Sequence, residues 1–369
     1  MGITFPRFGT SHVAIGNLLK WMGHDVIKPP DITEKTISLG TKNSPELACF
    51  PLKITTGSFI EALDSGADSI LMAGGVGPCR FGYYGYLQKG ALTQMGYKFD
   101  SFIIEPPSRH PKQAYHTIKS LKKKTPWHTV MKYVYIVLTK QKYIDKMHKL
   151  VLETAPKEVG EIKSFKLFNE FVQKVEPVRE VKSLKEIYQH YADKLYKFQK
   201  VTPKVKIKLL GEIYLVCEPA ANLYIEKKLA ALGVEVQRTI YLGEWFDGHV
   251  VKDIIPILKE KETEKTAKSY LSQMVGGHGQ ETVAQTVQAS QQGFDGVIQV
   301  YPFTCTPEIL AQGIITKVSK DKKIPVLTLS MDEHSAQAGI DTRLEAFVDL
   351  IYQKKLQNER GEALWVMGS

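Results

Sequence analysis

The chain has 369 residues, 43% of them hydrophobic, which is enough to fill the cores of two or three domains. No apolar run approaches the ~20 residues that span a bilayer, and the N-terminus lacks the charged, apolar and small-residue blocks of a signal peptide, so a cytoplasmic protein is expected. Lys and Arg outnumber Asp and Glu by 49 to 39, a net charge of +10, but many of the lysines fall at helical spacing in stretches such as IKSLKKKTPWHTVMKYVYIVL. That is the pattern of a solvated helix face, and no nucleic-acid-binding signature accompanies it.

The chain begins with alternating strands and helices. Strands are predicted at Ile3–Phe8, Asp25–Pro29, Ser69–Ala73 and Phe102–Glu105, and helices over SHVAIGNLLKWMG, LKITTGSFIEALDSG and from Tyr83 to Gly96. Short β-rich runs separated by amphipathic helices that end in glycine imply parallel strands with crossover helices. From 107 to 205 the periodicity turns helical, with little strand signal beyond YVYIVL. Alternation resumes with a strand at Lys206–Val216, continues through VEVQRTIYL, ETVAQTVQASQQG, DGVIQVY, EILAQGIITKVSK and IPVLTLS, and closes in a helix over TRLEAFVDLIYQKK. The expected organisation is α/β: a doubly wound, Rossmann- or flavodoxin-like parallel-sheet domain at 1–106, a mainly helical insert at 107–205 and a second such domain at 206–356. Residues 357–369 break the pattern and read as a disordered or appended tail.

The four cysteines, Cys49, Cys79, Cys217 and Cys305, include no CxxC pair, so any shared site must be assembled by the fold. SILMAGGVGPCRFGYY and GVIQVYPFTCTPEIL repeat one arrangement: a strand, a short turn, a cysteine and a helix. Open parallel sheets build their sites at that edge, where free N–H groups and the helix dipole favour a thiolate. Cys49, bracketed by Pro45 and Pro51 ahead of a helix, has similar company, whereas Cys217 in GEIYLVCEP ends a β-run and reads as core. Three thiolates leave several options open. Zinc fits poorly without compact ligand pairs. A cubane held by three thiolates would keep one iron open to an exogenous ligand, and a metal-free role remains the bland reading.

The segments ELACFPLKITTGSFIEALDSGADSILMAGGVGPCRFGYYGYLQKG, GEIYLVCEPAANLYIEKKLAALG, GGHGQETVAQTV, VYPFTCTPE and DEHSAQAGIDTRLEAFVDLI together resemble the 2-hydroxyacyl-CoA dehydratase and benzoyl-CoA reductase superfamily. Within it, the similarity is to the dehydratase-like, CoA-enzyme-activase-related branch. The resemblance spans about Met1 to Tyr352 and implies an anaerobic protein with a [4Fe–4S] cluster between two α/β domains, held by Cys49, Cys79 and Cys305. It also implies a dimer of like or related subunits and a separate ATP-hydrolysing iron–sulfur activator as electron donor. This chain carries no GxxxxGK[ST], so it would be the electron-accepting component that reduces or dehydrates a small molecule or acyl-CoA. The alternatives are a non-catalytic electron carrier with the same cluster and a double-cubane reductase. Two cubanes with three thiolates each take six cysteines, and four are present.

Other candidates surround these positions. Arg80 follows Cys79 and can balance cluster or substrate charge. His278 with Glu281, and Glu333 with His334, pair an imidazole with a carboxylate suited to acid–base work. Gly75 and Gly77 offer backbone N–H groups to a cofactor, and Tyr83, Tyr84 and Tyr301 lie near the ligand cysteines as proton donors.

Overall fold

Two four-stranded sheets, each entirely parallel, organise the chain; the computed structural model describes residues 2–246 and 261–359. The first contains β1 (Gly2–Thr4), β2 (Asp25–Val26), β3 (Ser69–Ala73) and β4 (Asp100–Ile104), in the order β2-β1-β3-β4. Its helices are α1 (Ser11–Trp21), α2 (Glu34–Lys42), α3 (Phe50–Asp64) and α4 (Tyr84–Gln94). The second contains β5 (Val205–Gly211), β6 (Val234–Arg238), β7 (Gly296–Pro302) and β8 (Val326–Met331), in the order β6-β5-β7-β8. Between them come α5 (Pro111–Leu121), α6 (Trp127–Thr154), α7 (Ser164–Val175) and α8 (Val181–Tyr196). The second sheet carries α9 (Ile213–Cys217), α10 (Ile225–Ala231), α11 (Leu242–Phe246), α12 (Lys261–Ala267), α13 (Gly279–Gln291), α14 (Thr306–Lys322) and α15 (Gln337–Glu359).

Both halves therefore use one topology. In each, the strand order reverses between the first and third strands, the place where open parallel sheets leave a crevice at their C-terminal edge. Cys79 follows the third strand of the first sheet and Cys305 the third strand of the second.

The structure departs from the predicted elements in several places, beginning with the first two strands, which end at Thr4 and Val26, short of Phe8 and Pro29. The run Lys206–Val216 is not one strand, because β5 stops at Gly211, whose φ is +130° and whose missing Cβ would lie 2.0 Å from the Val300 carbonyl oxygen. Glu212 then N-caps α9 by accepting the Leu215 N–H at 3.1 Å, so Cys217 closes a short helix and not a β-run. Helix α2 was not anticipated; Thr33 and Thr36 form its reciprocal cap. YVYIVL lies inside α6, where the helical period of its flanks prevails over local strand preference. Finally, α15 continues to Glu359, into the expected tail, and the remainder of that tail lies outside the described residues.

Helix α3 explains its own unusual sequence. Phe50 and Ile54 pack with Ile207, Leu209 and Ile298 of the second sheet, while Leu52, Phe59 and Leu63 pack with Ile70 and Met72 of the first. A helix pressed between two sheets must be apolar nearly all round. Helices α6 to α8 hold a separate core around Ile144, Val151, Phe171 and Leu184, which Val13 of α1 joins.

One buried cation in the second sheet gives a pH prediction. Lys208 on β5 is 4% exposed, donates to Gln292 Oε1 at 2.8 Å and lies over the Phe294 ring. Burial lowers its pKa to about 8, whereas in the unfolded chain it keeps its proton to about 10.4. The unfolded state thus binds more protons between these values, and stability rises with pH across that window. Lys208→Met should be more stable than the parent at pH 7 by about 1–2 kcal/mol, after discounting for solvent near the ammonium, and should show a smaller gain on going to pH 10. Urea midpoints at the two pH values check this.

Candidate functional site

All three cysteines singled out in the loops occupy the same local position, the extended residue that precedes a helix. Cys49 caps α3 with φ −60° and ψ 141°, and Cys305 caps α14 with φ −79° and ψ 96°. Cys79, with φ −71° and ψ 124°, precedes a 3₁₀ turn over Arg80–Tyr83 that runs into α4. Proline follows within the first two helical positions at Cys49 and Cys305, where a missing N–H costs nothing.

Arg80 ties these loops together. One guanidinium nitrogen donates to the Leu47 carbonyl at 3.0 Å, two residues before Cys49, and the other donates to the Thr304 carbonyl, directly before Cys305. The GGHG turn ahead of α13 closes from another side. A Cβ on Gly276 would lie 2.5 Å from the Pro78 ring, and one on Gly277 would meet Pro307 at 3.3 Å and the Cys79 sulfur at 3.9 Å. Tyr84 senses the assembly: its phenol is pushed well above its ordinary pKa by burial first, then by Cys49 and Glu212, with Cys79 adding to the effect.

The Cys79 and Cys305 thiols do not behave as helix N-caps alone would predict. Burial pushes the Cys79 thiol up, opposed by the Phe81 N–H and Arg80, with Glu212 and Cys49 adding to the rise. Cys305 is driven higher still, again by burial first and then by Glu212 and Glu308. The expected lowering by helix dipoles is outweighed because these sulfurs are largely dry and face carboxylates.

Glu212 escaped the sequence reading. It directly follows β5 at the switch point of the second sheet, and burial raises its pKa to about 7, against the N–H groups of Tyr214 and Leu215. Glu308, fully buried near the start of α14, is likewise raised to about 7 by burial, although Gln299 and Thr282 both donate to it. Glu212 affects Cys79, Tyr84, Cys305 and Glu308 alike, so it faces the same region as the thiols.

The remaining candidates divide. His278 caps α13, with Nε2 3.7 Å from Glu281 Oε2, and belongs to the GGHG turn against Cys79. Glu333 receives Lys53 of α3, whose side chain is almost wholly buried, which joins the two halves beside Cys49. His334 is exposed after β8, its backbone N–H donating to Asp332 Oδ1 at 3.0 Å. Gly75 packs on Gly82, where a Cβ would approach to 2.9 Å; it closes its own loop, while Gly77 adopts φ +113°. The Tyr301 hydroxyl pairs with Gln312 Oε1 at 3.1 Å. Cys217, raised to about 12 by burial, faces Arg238 and the Ile240 carbonyl, and Glu212 also acts on it.

No protein-family model matches the chain, and no curated protein does. Among the described residues, no three His, Cys, Asp or Glu side chains converge as ligands of a single metal ion, and no helix is long and apolar enough to cross a membrane. In a cubane each thiolate takes a different iron, so its ligands stand further apart than those of one ion.

Proposed function

We propose that this chain is a member of the 2-hydroxyacyl-CoA dehydratase and benzoyl-CoA reductase superfamily that holds one [4Fe–4S] cluster through Cys49, Cys79 and Cys305. The observation that supports the reading is Arg80, which follows Cys79 and hydrogen-bonds into the loops that lead to Cys49 and Cys305, so that three helix-capping cysteines from both halves of the chain share one neighbourhood. Held by three thiolates, such a cluster would supply one-electron chemistry at low potential and a coordination position for a substrate. Arg80 and the backbone N–H groups of the capping positions offset the negative charge of thiolates and sulfides. Cys49 and Cys305 are shielded from bulk water, at 9% and 7% exposure, and Cys79 is the more accessible of the three. Electrons come from a separate ATP-hydrolysing activator, and the reaction is reduction or dehydration of a small molecule or acyl-CoA.

Anaerobic purification, or reconstitution with iron and sulfide, should yield a brown protein with about four irons per chain. Replacing Cys49, Cys79 or Cys305 with serine should remove most of the iron, and Cys217→Ser should leave it unchanged. A colourless parent protein, or equal loss at Cys217, would defeat the assignment.

A further inference from the structure

Helix α5 starts at the wall of a cleft of about 440 Å³ beside Cys79, to which His110 and Gln113 contribute. From there the chain enters its most one-sided stretch of charge. Between Glu105 and Asp145 stand nine Lys or Arg and no acid, against a net charge of +10 for all 369 residues. Among the described residues, no carboxylate pairs with any of the seven cations from Arg109 to Lys132. The same surface carries apolar side chains. Tyr115, Trp127, Met131 and Tyr135 are 40–63% exposed. The last three recur every four residues along α6 and so share a face, while Val130 and Val137 turn into the core. Tyr115 of α5 stacks on Trp127, with centroids 5.7 Å apart and an interplanar angle of 17°, which joins the two helices into one patch. The ammonium groups of Lys119 and Lys122 lean over the two rings, 6.0 Å from the Tyr115 centroid and 5.4 Å from that of Trp127.

We propose that this patch docks the protein on an anionic lipid surface, with the aromatic and thioether row entering the headgroup layer and the lysines meeting lipid phosphates. Three features select lipid over other acidic partners. The patch has one sign of charge throughout, which matches a surface that is negative everywhere, whereas protein faces that pair electrostatically mix their charges. Its cations are six lysines and one arginine, and protein interfaces favour arginine and disfavour lysine. The rings are not free platforms for nucleobases, because Tyr115 and Trp127 spend a face on each other and have lysines over them. Trp and Tyr, each with an apolar body and a polar tip, settle at the depth of lipid headgroups. The patch serves this purpose whether or not the cysteines hold a cluster.

The test is co-sedimentation of the full-length protein with vesicles of phosphatidylcholine alone or of phosphatidylcholine and phosphatidylglycerol in equal parts. The parent should bind the mixed vesicles at least about tenfold more tightly than the neutral ones, and the difference should shrink as salt shortens the Debye length from ~10 Å at 0.1 M to ~3 Å at 1 M. Each lysine near an anionic surface is worth about fivefold in binding, so the triple variant Lys119→Gln, Lys124→Gln, Lys132→Gln should lose about a hundredfold. The matched set Lys166→Gln, Lys182→Gln, Lys185→Gln, exposed lysines of α7 and α8, should lose little. Met131→Asp should weaken binding with an unchanged circular dichroism spectrum. Mixed vesicles should shift the tryptophan emission of the parent to the blue, and Trp127→Phe should remove most of that shift. Equal binding to the two kinds of vesicle, a matched set that loses as much as the patch set, or a parent that prefers oligo(dT) or polyglutamate to the mixed vesicles in competition would each overturn the lipid assignment.

Discussion

Gly57→Ala should destabilise the protein by about 3–5 kcal/mol or prevent it from folding, with Gly40→Ala close behind. Helices α2 and α3 cross with their backbones in contact. A Cβ on Gly57 would lie 1.9 Å from the Thr36 carbonyl oxygen, and one on Gly40 would lie 1.7 Å from that of Lys53. Neither obstacle is a side chain that can rotate away, so the helices must separate. The effect would reach past the crossing, since α3 starts at Cys49 and carries Phe50 and Ile54 into the core of the second sheet. A stable Gly57→Ala protein should therefore also bind less iron. Gly90 in α4 is the control: nothing approaches its Cβ position, and Gly90→Ala should be neutral or stabilising by up to about 1 kcal/mol. Urea unfolding of the variants separates these expectations.

Arg238→Met should cost about 3–5 kcal/mol at pH 7, because it breaks a buried ion-pair network. The guanidinium is buried at the end of β6, with Nη1 3.5 Å from Glu226 Oε1 and its carbon 4.3 Å from the Tyr241 ring centroid. Glu226 also meets His148 of α6 at 3.0 Å, and Asp145 on the same helix accepts the Gly243 N–H at 2.6 Å. Burial works against the charge on Glu226, but His148 and Arg238 together hold its pKa below the usual range. Loss of the arginine leaves two carboxylates dry. In the parent, the depressed pKa of Glu226 contributes stability that is present above the unfolded value near 4.3 and disappears as pH falls through the folded value. In the variant the carboxyl is expected to titrate higher, so the difference between the two proteins should shrink from pH 7 to pH 5. A double-mutant cycle with Glu226→Gln should show strong coupling.

Much of the secondary structure was legible because its signals are local. SILMA and GVIQVYP are compact β-rich runs closed by turn residues, and the cysteines after them stand where a strand gives way to a helix. The same locality misled the reading of KIKLLGEIYLVC, since five residues of apolar helix resemble strand and only the +130° φ of Gly211 marks the break. Glu212 was invisible as a site residue for a different reason. It is an ordinary acid at the end of a strand, and its significance comes from the thiols that other segments bring to it. The rise in the cysteine pKa values likewise reflects burial, which a sequence position does not report.

The position of α3 limits how this molecule can move. Drawing the two sheets apart would strip Phe50 and Ile54 from one core and part Lys53 from Glu333. Hinge opening is therefore a costly route for a reactant to reach the thiols, and traffic through the Cys79 cleft needs no such rupture. With the halves clamped, Cys79 is approached through a cleft that the loop from Gly75 to Tyr83 forms together with Tyr86, Glu105 and His110.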